Sequence, residues 1–210
     1  MAYLILVRHG KSEWNKLGQW TGLTDVGLAE EGRTEARLAA AALNDIEITS
    51  AHTSLLKRAQ QTLEEMKAAL GLQTLQEKKD AALNERDYGI YTGKNKWQVK
   101  EAIGEEAFQK LRRGWDVAVP EGETLKDVHD RVVPYYTAHI HPEVAAGKNV
   151  LVVAHGNSLR ALAKHLEDMD ERAVCELEIG TGEVYCYEFD GAGALIGKTI
   201  RAANPDKLRT

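Results

Sequence analysis

The chain has 210 residues, 28 % of them charged, and a formal net charge of −5. That length predicts a single α/β domain over 1–210 with a sizeable core, and the acidic balance speaks against general nucleic-acid or anionic-membrane binding. Two cysteines, Cys175 and Cys186, without CxxC or Cys/His spacing, exclude a disulfide framework and a zinc cluster and predict a reducing, cytoplasmic setting.

In chain order, strand and helix periods alternate. Tyr3–Val7 is an unbroken apolar run and reads as a buried strand, followed by a polar, Gly-rich loop through Gly22. A helix is predicted around Glu30–Leu43, with Ala36, Leu38, Ala39, Ala40 and Leu43 inward. Ile46–Thr49 is the next strand candidate. Ser54–Leu70 is the next helix, with Leu55, Leu56, Ala59, Leu63 and Met66 as its stripe and Gly71 as its stop. A polar loop then runs through Asn84–Gly89. Lys96–Gly114 predicts one or two amphipathic helices with Trp97, Val99, Ile103, Phe108 and Leu111 apolar, so an insertion at about 90–120 could cap a site. Thr124 to about His141 is a helix kinked or divided at Pro134. Asn149–Ala154 is a second buried strand and Ser158–Leu166 a helix. Strands Glu183–Phe189 and Leu195–Arg201 are joined by the hairpin turn Asp190–Gly193. The polar tail Asn204–Thr210 reads as mobile or as folding over a ligand.

Two histidine–glycine pairs, Arg8-His9-Gly10 and Ala154-His155-Gly156-Asn157, each follow a buried strand. In an open α/β sheet that position is the ligand edge. Histidine after a strand is commonly a plain core or surface residue. Arg8 beside it, with Gly10, Ser12 and Asn15 following, adds a phosphate fork, backbone donors, a hydroxyl and an amide within one turn of chain. A neutral imidazole with Nδ1–H held by a carbonyl is a competent phosphorus nucleophile through Nε2. Arg58 reads as a solvated helix residue unless its helix starts at the same sheet edge. Glu85 is an ordinary loop carboxylate unless a leaving oxygen needs its proton. Lys96, Arg112 and Arg113 form a charged outer face unless the insertion folds inward, in which case they would bind the far end of a doubly anionic substrate.

These residues, with Trp14-Asn15, Thr21-Gly22, Leu83-Asn84-Glu85-Arg86, Tyr88-Gly89, Asn95-Lys96, Arg112-Arg113, Glu123–Asp127 and His155–Arg160, closely resemble the cofactor-dependent phosphoglycerate mutases of the histidine phosphatase superfamily, in order along the chain. The resemblance implies a three-layer α/β/α fold with a mostly parallel central sheet. It implies an enzyme primed by 2,3-bisphosphoglycerate, without metal, that interconverts 3-phosphoglycerate and 2-phosphoglycerate in glycolysis and gluconeogenesis. His9 would be the phosphorylated nucleophile and Glu85 the proton donor and acceptor. Arg8, Arg58, His155, Asn15 and the Gly156 backbone would surround the phosphoryl group. Thr21, Gly22, Tyr88, Lys96, Arg112, Arg113 and Asn157 would hold the carboxylate and the second phosphate, with Ser12 and Arg86 in the binding set.

The alternatives are a small-molecule phosphatase using the same His9 and Glu85, and a non-catalytic phospho-ligand module, which would predict a broken nucleophile or acid. Lys11, Asp87, Gly180 and the short link Gly114–Glu123 depart from the family pattern. The short link leaves monomer and homo-oligomer both open; the expected partners are small phosphoglycerates, not nucleic acid or membrane.

Overall fold

The computed structural model describes residues 1–204; the tail expectation from 205 onward lies outside the described residues. Six strands, β1 (Ala2–Arg8), β2 (Ser50–Thr53), β3 (Glu77–Lys79), β4 (Val150–Ala154), β5 (Val184–Phe189) and β6 (Leu195–Ala202), form one sheet in the order β3-β2-β4-β1-β5-β6. The pairs β3·β2, β2·β4 and β4·β1 are parallel; β1·β5 and β5·β6 are antiparallel.

β1 and β4 are apolar on both faces because both faces are covered. Leu4, Leu6, Val150 and Val152 enter one core, closed by α6 (Leu125–Tyr135), α7 (His141–Ala145), α8 (Gly156–Leu166) and α9 (Glu171–Glu176). Ile5, Val7, Leu151 and Val153 enter the other, closed by α2 (Glu30–Ala41) and α3 (Lys57–Leu70). This is the expected three-layer arrangement. A third cluster, Trp20, Tyr88, Val99, Phe108, Leu111 and Val119, lies under α4 (Lys96–Ile103) and α5 (Glu105–Arg113). A single helical turn, α1 (Glu13–Lys16), follows β1.

Several expectations need correction. The second strand is Ser50–Thr53, not Ile46–Thr49. Its polar side chains are buried because each is partnered: His52 Nδ1 lies 2.9 Å from the Tyr135 hydroxyl, and Thr53 Oγ1 donates to Val153 O at 2.8 Å. Hydropathy does not register such pairs. Leu38 is 64 % exposed, because Ala36, Ala39, Ala40 and Leu43 already fill the i, i+3, i+4, i+7 face. α3 starts at Lys57, which leaves Leu55 before the helix and exposed. Trp97 is half exposed, beside Gly18 rather than in the core. α6 runs through Pro134 and opens into a π-turn over Tyr136–Ile140 before α7, so the proline widens the helix without ending it. The insertion is two helices parted at Gly104 (φ +83°), and α9 was not anticipated.

Candidate active site

The β1·β4 register pairs Arg8 with Ala154, so His9 and His155, each one residue further, emerge side by side. His9 N donates to Ala154 O at 2.9 Å, and the two imidazole centroids are 4.9 Å apart. Gly10 and Gly32 make this edge possible. A Cβ on either would collide with backbone, that of Gly10 with the Gly32 carbonyl and that of Gly32 with the Lys11 carbonyl.

The state of His9 follows from one contact. Its Nδ1 lies 2.7 Å from Gly10 O. A carbonyl can only accept, so Nδ1 carries the hydrogen and Nε2 keeps its lone pair. Burial, then the charges of Arg58 and Arg8, hold the imidazole well below its usual pKa, so it is neutral at pH 7. His155 is pushed down by burial, Arg58 and His9 in the same way. Its Nε2 lies 2.7 Å from Ser54 Oγ, while its buried Nδ1 has no hydrogen-bond partner among the described residues.

Glu85 is buried, and its Oε1 accepts three hydrogen bonds, from Arg86 N (2.8 Å), Asn157 N (3.2 Å) and Asn157 Nδ2 (3.0 Å). Burial alone would raise its pKa, but the Arg86 amide, Arg58, Asn157 and Arg8 together hold it below the usual carboxylate range. The carboxylate is therefore ionised at neutral pH. Arg131 on α6 fixes the loop beneath it, donating to the carbonyls of Ala82, Asn84 and Glu85.

The cations are mostly buried. Arg58 donates to Thr24 O at 2.9 Å and Gly22 O at 2.8 Å, and burial lowers its pKa to about 10; its Nε has no hydrogen-bond partner among the described residues. Arg8 Nη1 donates to Ile179 O at 2.7 Å. Lys96, the first residue of α4, is lowered to about 7 by burial, Arg112 and Arg8. Arg113, at the end of α5, is lowered to about 10, by burial and then Arg112.

One pocket of about 590 Å³, mouth included, collects thirteen of the sixteen anticipated residues: Arg8, His9, Asn15, Thr21, Gly22, Arg58, Glu85, Tyr88, Lys96, Arg112, Arg113, Gly156 and Asn157. Three do not line it. Ser12 caps α1, its Oγ bonded to Asn15. Arg86 turns away to donate to the carbonyls of Leu111 and Arg112, its guanidinium 4.5 Å from the Tyr88 ring centre. His155 stands behind His9, tied to Ser54. Gln19, Trp20, Arg160 and Glu178 line the pocket without having been anticipated. Arg160 sits in the quoted His-Gly-Asn-Ser-Leu-Arg motif, which was the available signal. Glu178 had none, since an acid among arginines is visible only in three dimensions. Among the described residues no group of His, Cys, Asp and Glu could hold a metal ion, and no helix is long and apolar enough to cross a membrane.

A family model described as "Histidine phosphatase superfamily (branch 1)" matches residues 4–199. A relative from Bartonella henselae, named 2,3-bisphosphoglycerate-dependent phosphoglycerate mutase, is 42 % identical over 199 residues, which is 94 % of this chain and 97 % of the relative. Among solved structures, Bacillus stearothermophilus YhfR superposes with a TM-score of 0.80 at 26 % identity, over 93 % of this chain and 95 % of that one. A mycobacterial glucosyl-3-phosphoglycerate phosphatase superposes with a TM-score of 0.78, over 97 % of this chain and 100 % of its own. At 23 % identity, that last likeness is one of fold.

Proposed function

We propose that the chain, which belongs to branch 1 of the histidine phosphatase superfamily, is a 2,3-bisphosphoglycerate-dependent phosphoglycerate mutase interconverting 3-phosphoglycerate and 2-phosphoglycerate. It works as one domain over 1–210, with the 90–120 insertion forming a wall of the site. The observation that carries this reading is the charge content of a single pocket. A neutral imidazole and an ionised carboxylate share it with the cationic side chains of Arg8, Arg58, Lys96, Arg112 and Arg113.

2,3-Bisphosphoglycerate supplies the phosphoryl group that primes the enzyme, and the residues present suit it. Arg58 lines the pocket, and its Nε is buried without a hydrogen-bond partner among the described residues and stands ready for a phosphoryl oxygen. In the working cycle His9 Nε2 carries the phosphoryl group. Ionised Glu85 takes the proton from the acceptor hydroxyl as that oxygen bonds to phosphorus, and the Nε2–P bond breaks with its pair returning to the ring. Glu85 then gives its proton to the other ester oxygen as His9 recovers a phosphoryl group there. Arg8, Arg58 and the Gly156 amide meet the charge on the equatorial oxygens. Lys96, Arg112 and Arg113 hold the far anionic groups, so that the bisphosphorylated species turns over in place instead of leaving.

The test is conversion of 3-phosphoglycerate by EDTA-treated protein, with and without a trace of 2,3-bisphosphoglycerate, following 2-phosphoglycerate and free phosphate. Cofactor-stimulated isomerisation with little phosphate release is expected; phosphate release without isomerisation would make the chain a phosphatase. His9→Ala should lose both the phosphoenzyme and turnover, and survival of either would remove His9 as nucleophile.

A further inference from the structure

The anion pocket contains an anion of its own. Glu178, in the segment between α9 and β5, lines it with a side chain only 12 % exposed. Its Oε1 lies 3.8 Å from Arg8 Nη1, and its Oε2 pairs with Arg113 Nη2. One carboxylate thus bridges an arginine of the catalytic strand and an arginine of the insertion. Neither arginine depends on it for placement. Arg8 Nη1 is anchored on Ile179 O at 2.7 Å, and Arg113 Nη1 donates to Leu177 O at 3.1 Å, so the carbonyls flanking Glu178 already aim both groups. Glu85, the other acid of the pocket, is held by three hydrogen bonds to one oxygen. Glu178 is held by charge.

We propose that Glu178 is a tethered competitor for the ligand's far anionic group, and that its charge sets how much negative charge the pocket retains. A phosphate or carboxylate reaching Arg113 must displace this side chain or lie against it, and either way part of the attraction is cancelled. A phosphate dianion overcomes the competitor better than a carboxylate does, so the subsite at Arg113 selects for phosphate. On the mutase reading, weaker retention also lets a bisphosphorylated species escape and leaves phospho-His9 open to water. In that side step the water oxygen bonds to phosphorus, the Nε2–P pair returns to His9, Glu85 takes the proton, and inorganic phosphate leaves. The first half of the proposal rests on geometry alone and the second on the mutase reading.

Glu178→Gln keeps the shape and an acceptor for Arg113 while removing the charge; Glu178→Ala removes both. Calorimetric titration at low, fixed ionic strength, with 2,3-bisphosphoglycerate and separately with inorganic phosphate, is the deciding measurement. Both variants should bind 2,3-bisphosphoglycerate about tenfold tighter, equivalent to about 1.4 kcal/mol. Inorganic phosphate, which has no second anionic group, should change by a smaller factor. The ratio of phosphate release to isomerisation should fall in parallel. Affinity unchanged within twofold in Glu178→Gln, or weakened in Glu178→Ala, would overturn the proposal and make Glu178 a support for Arg113. If wild type and variants all fail to isomerise 3-phosphoglycerate, the mutase reading fails, while the titrations still decide the competition.

Discussion

Lys96 shows how burial turns a strong base into a titrating group at neutral pH. Enclosed by protein and facing Arg112 and Arg8, it ionises near 7 in the ligand-free site. An arriving anion favours the charged form and raises that pKa, so binding takes up protons when the pH is near or above 7. Affinity for 2,3-bisphosphoglycerate should therefore fall as pH rises through 7 towards the pKa of the bound state. Titration in buffers of differing ionisation enthalpy should register this uptake, and Lys96→Met should abolish it at the cost of weaker binding. An unchanged proton count in the variant would place the titration elsewhere. At this scale the sequence was informative about identity and less so about role. His9, Glu85 and the arginines are legible because their residue types are rare together. That Asn157 fixes Glu85 through two hydrogen bonds, and that Arg86 turns away from the pocket, depends on contacts between segments 25 to 72 positions apart.

Among the elements, α5 brings Arg112 and Arg113 to the pocket. Its last carbonyls are gripped by two buried guanidiniums: Arg86 takes those of Leu111 and Arg112, and Arg160 that of Arg113 at 3.0 Å. Positive charge at a helix C-terminus is favourable in itself. Arg160 also donates to Asn157 Oδ1 at 3.0 Å, so one side chain links the end of α5 to the residue that hydrogen-bonds Glu85. Arg160→Met should cost about 2–4 kcal/mol in urea unfolding, through carbonyls left without donors. It should also raise the ratio of phosphate release to isomerisation; stability loss with an unchanged ratio would confine Arg160 to a structural role. The crossing of α2 over the His9 loop makes a second prediction. Gly32→Ala sets a Cβ against the Lys11 carbonyl and should cost about 1–3 kcal/mol while lowering kcat by shifting His9. A variant as stable and active as wild type would show that the crossing yields. Element existence was legible wherever apolar periodicity was strong, as in β1, β4 and α3. It failed for β2, whose burial depends on hydrogen bonds, and for α9, a turn and a half of helix capped by Asp170, which accepts from Ala173 N at 2.7 Å.

For the whole molecule, buried neutral imidazoles make acid the natural denaturant. His9, His52 and His155 are all lowered, chiefly by burial. Each would regain its ordinary pKa, near 6.5, on unfolding, so the unfolded chain binds more protons below that value. Their contribution to stability is full above about 6.5 and is lost as pH falls, by up to ~1.4 kcal/mol per pH unit for each histidine. Glu143, held at about 2 by Lys78 and Ser50 against the opposing effect of its burial, adds a further loss below about 4.5. Urea midpoints should therefore drop between pH 6.5 and 5, before most carboxylates titrate; a flat profile in that window would show that the histidines stay charged or stay accessible.

β1 lies in the middle of the sheet, with β4 on one side and β5 on the other. It is made well before either neighbour, since Leu4 lies opposite Val150 and Tyr187, some 145 to 185 positions further along the chain. A chain synthesised only to residue 140 thus carries His9 and the pocket's cations up to Arg113 beside an apolar strand with two open edges, and neither His155 nor either partner strand has been made. The price of joining segments so far apart in sequence is a long interval during translation in which Tyr3–Val7 invites pairing with other chains. Slow synthesis or arrest before residue 150 should cost this enzyme its yield through aggregation, even where the finished protein is sound.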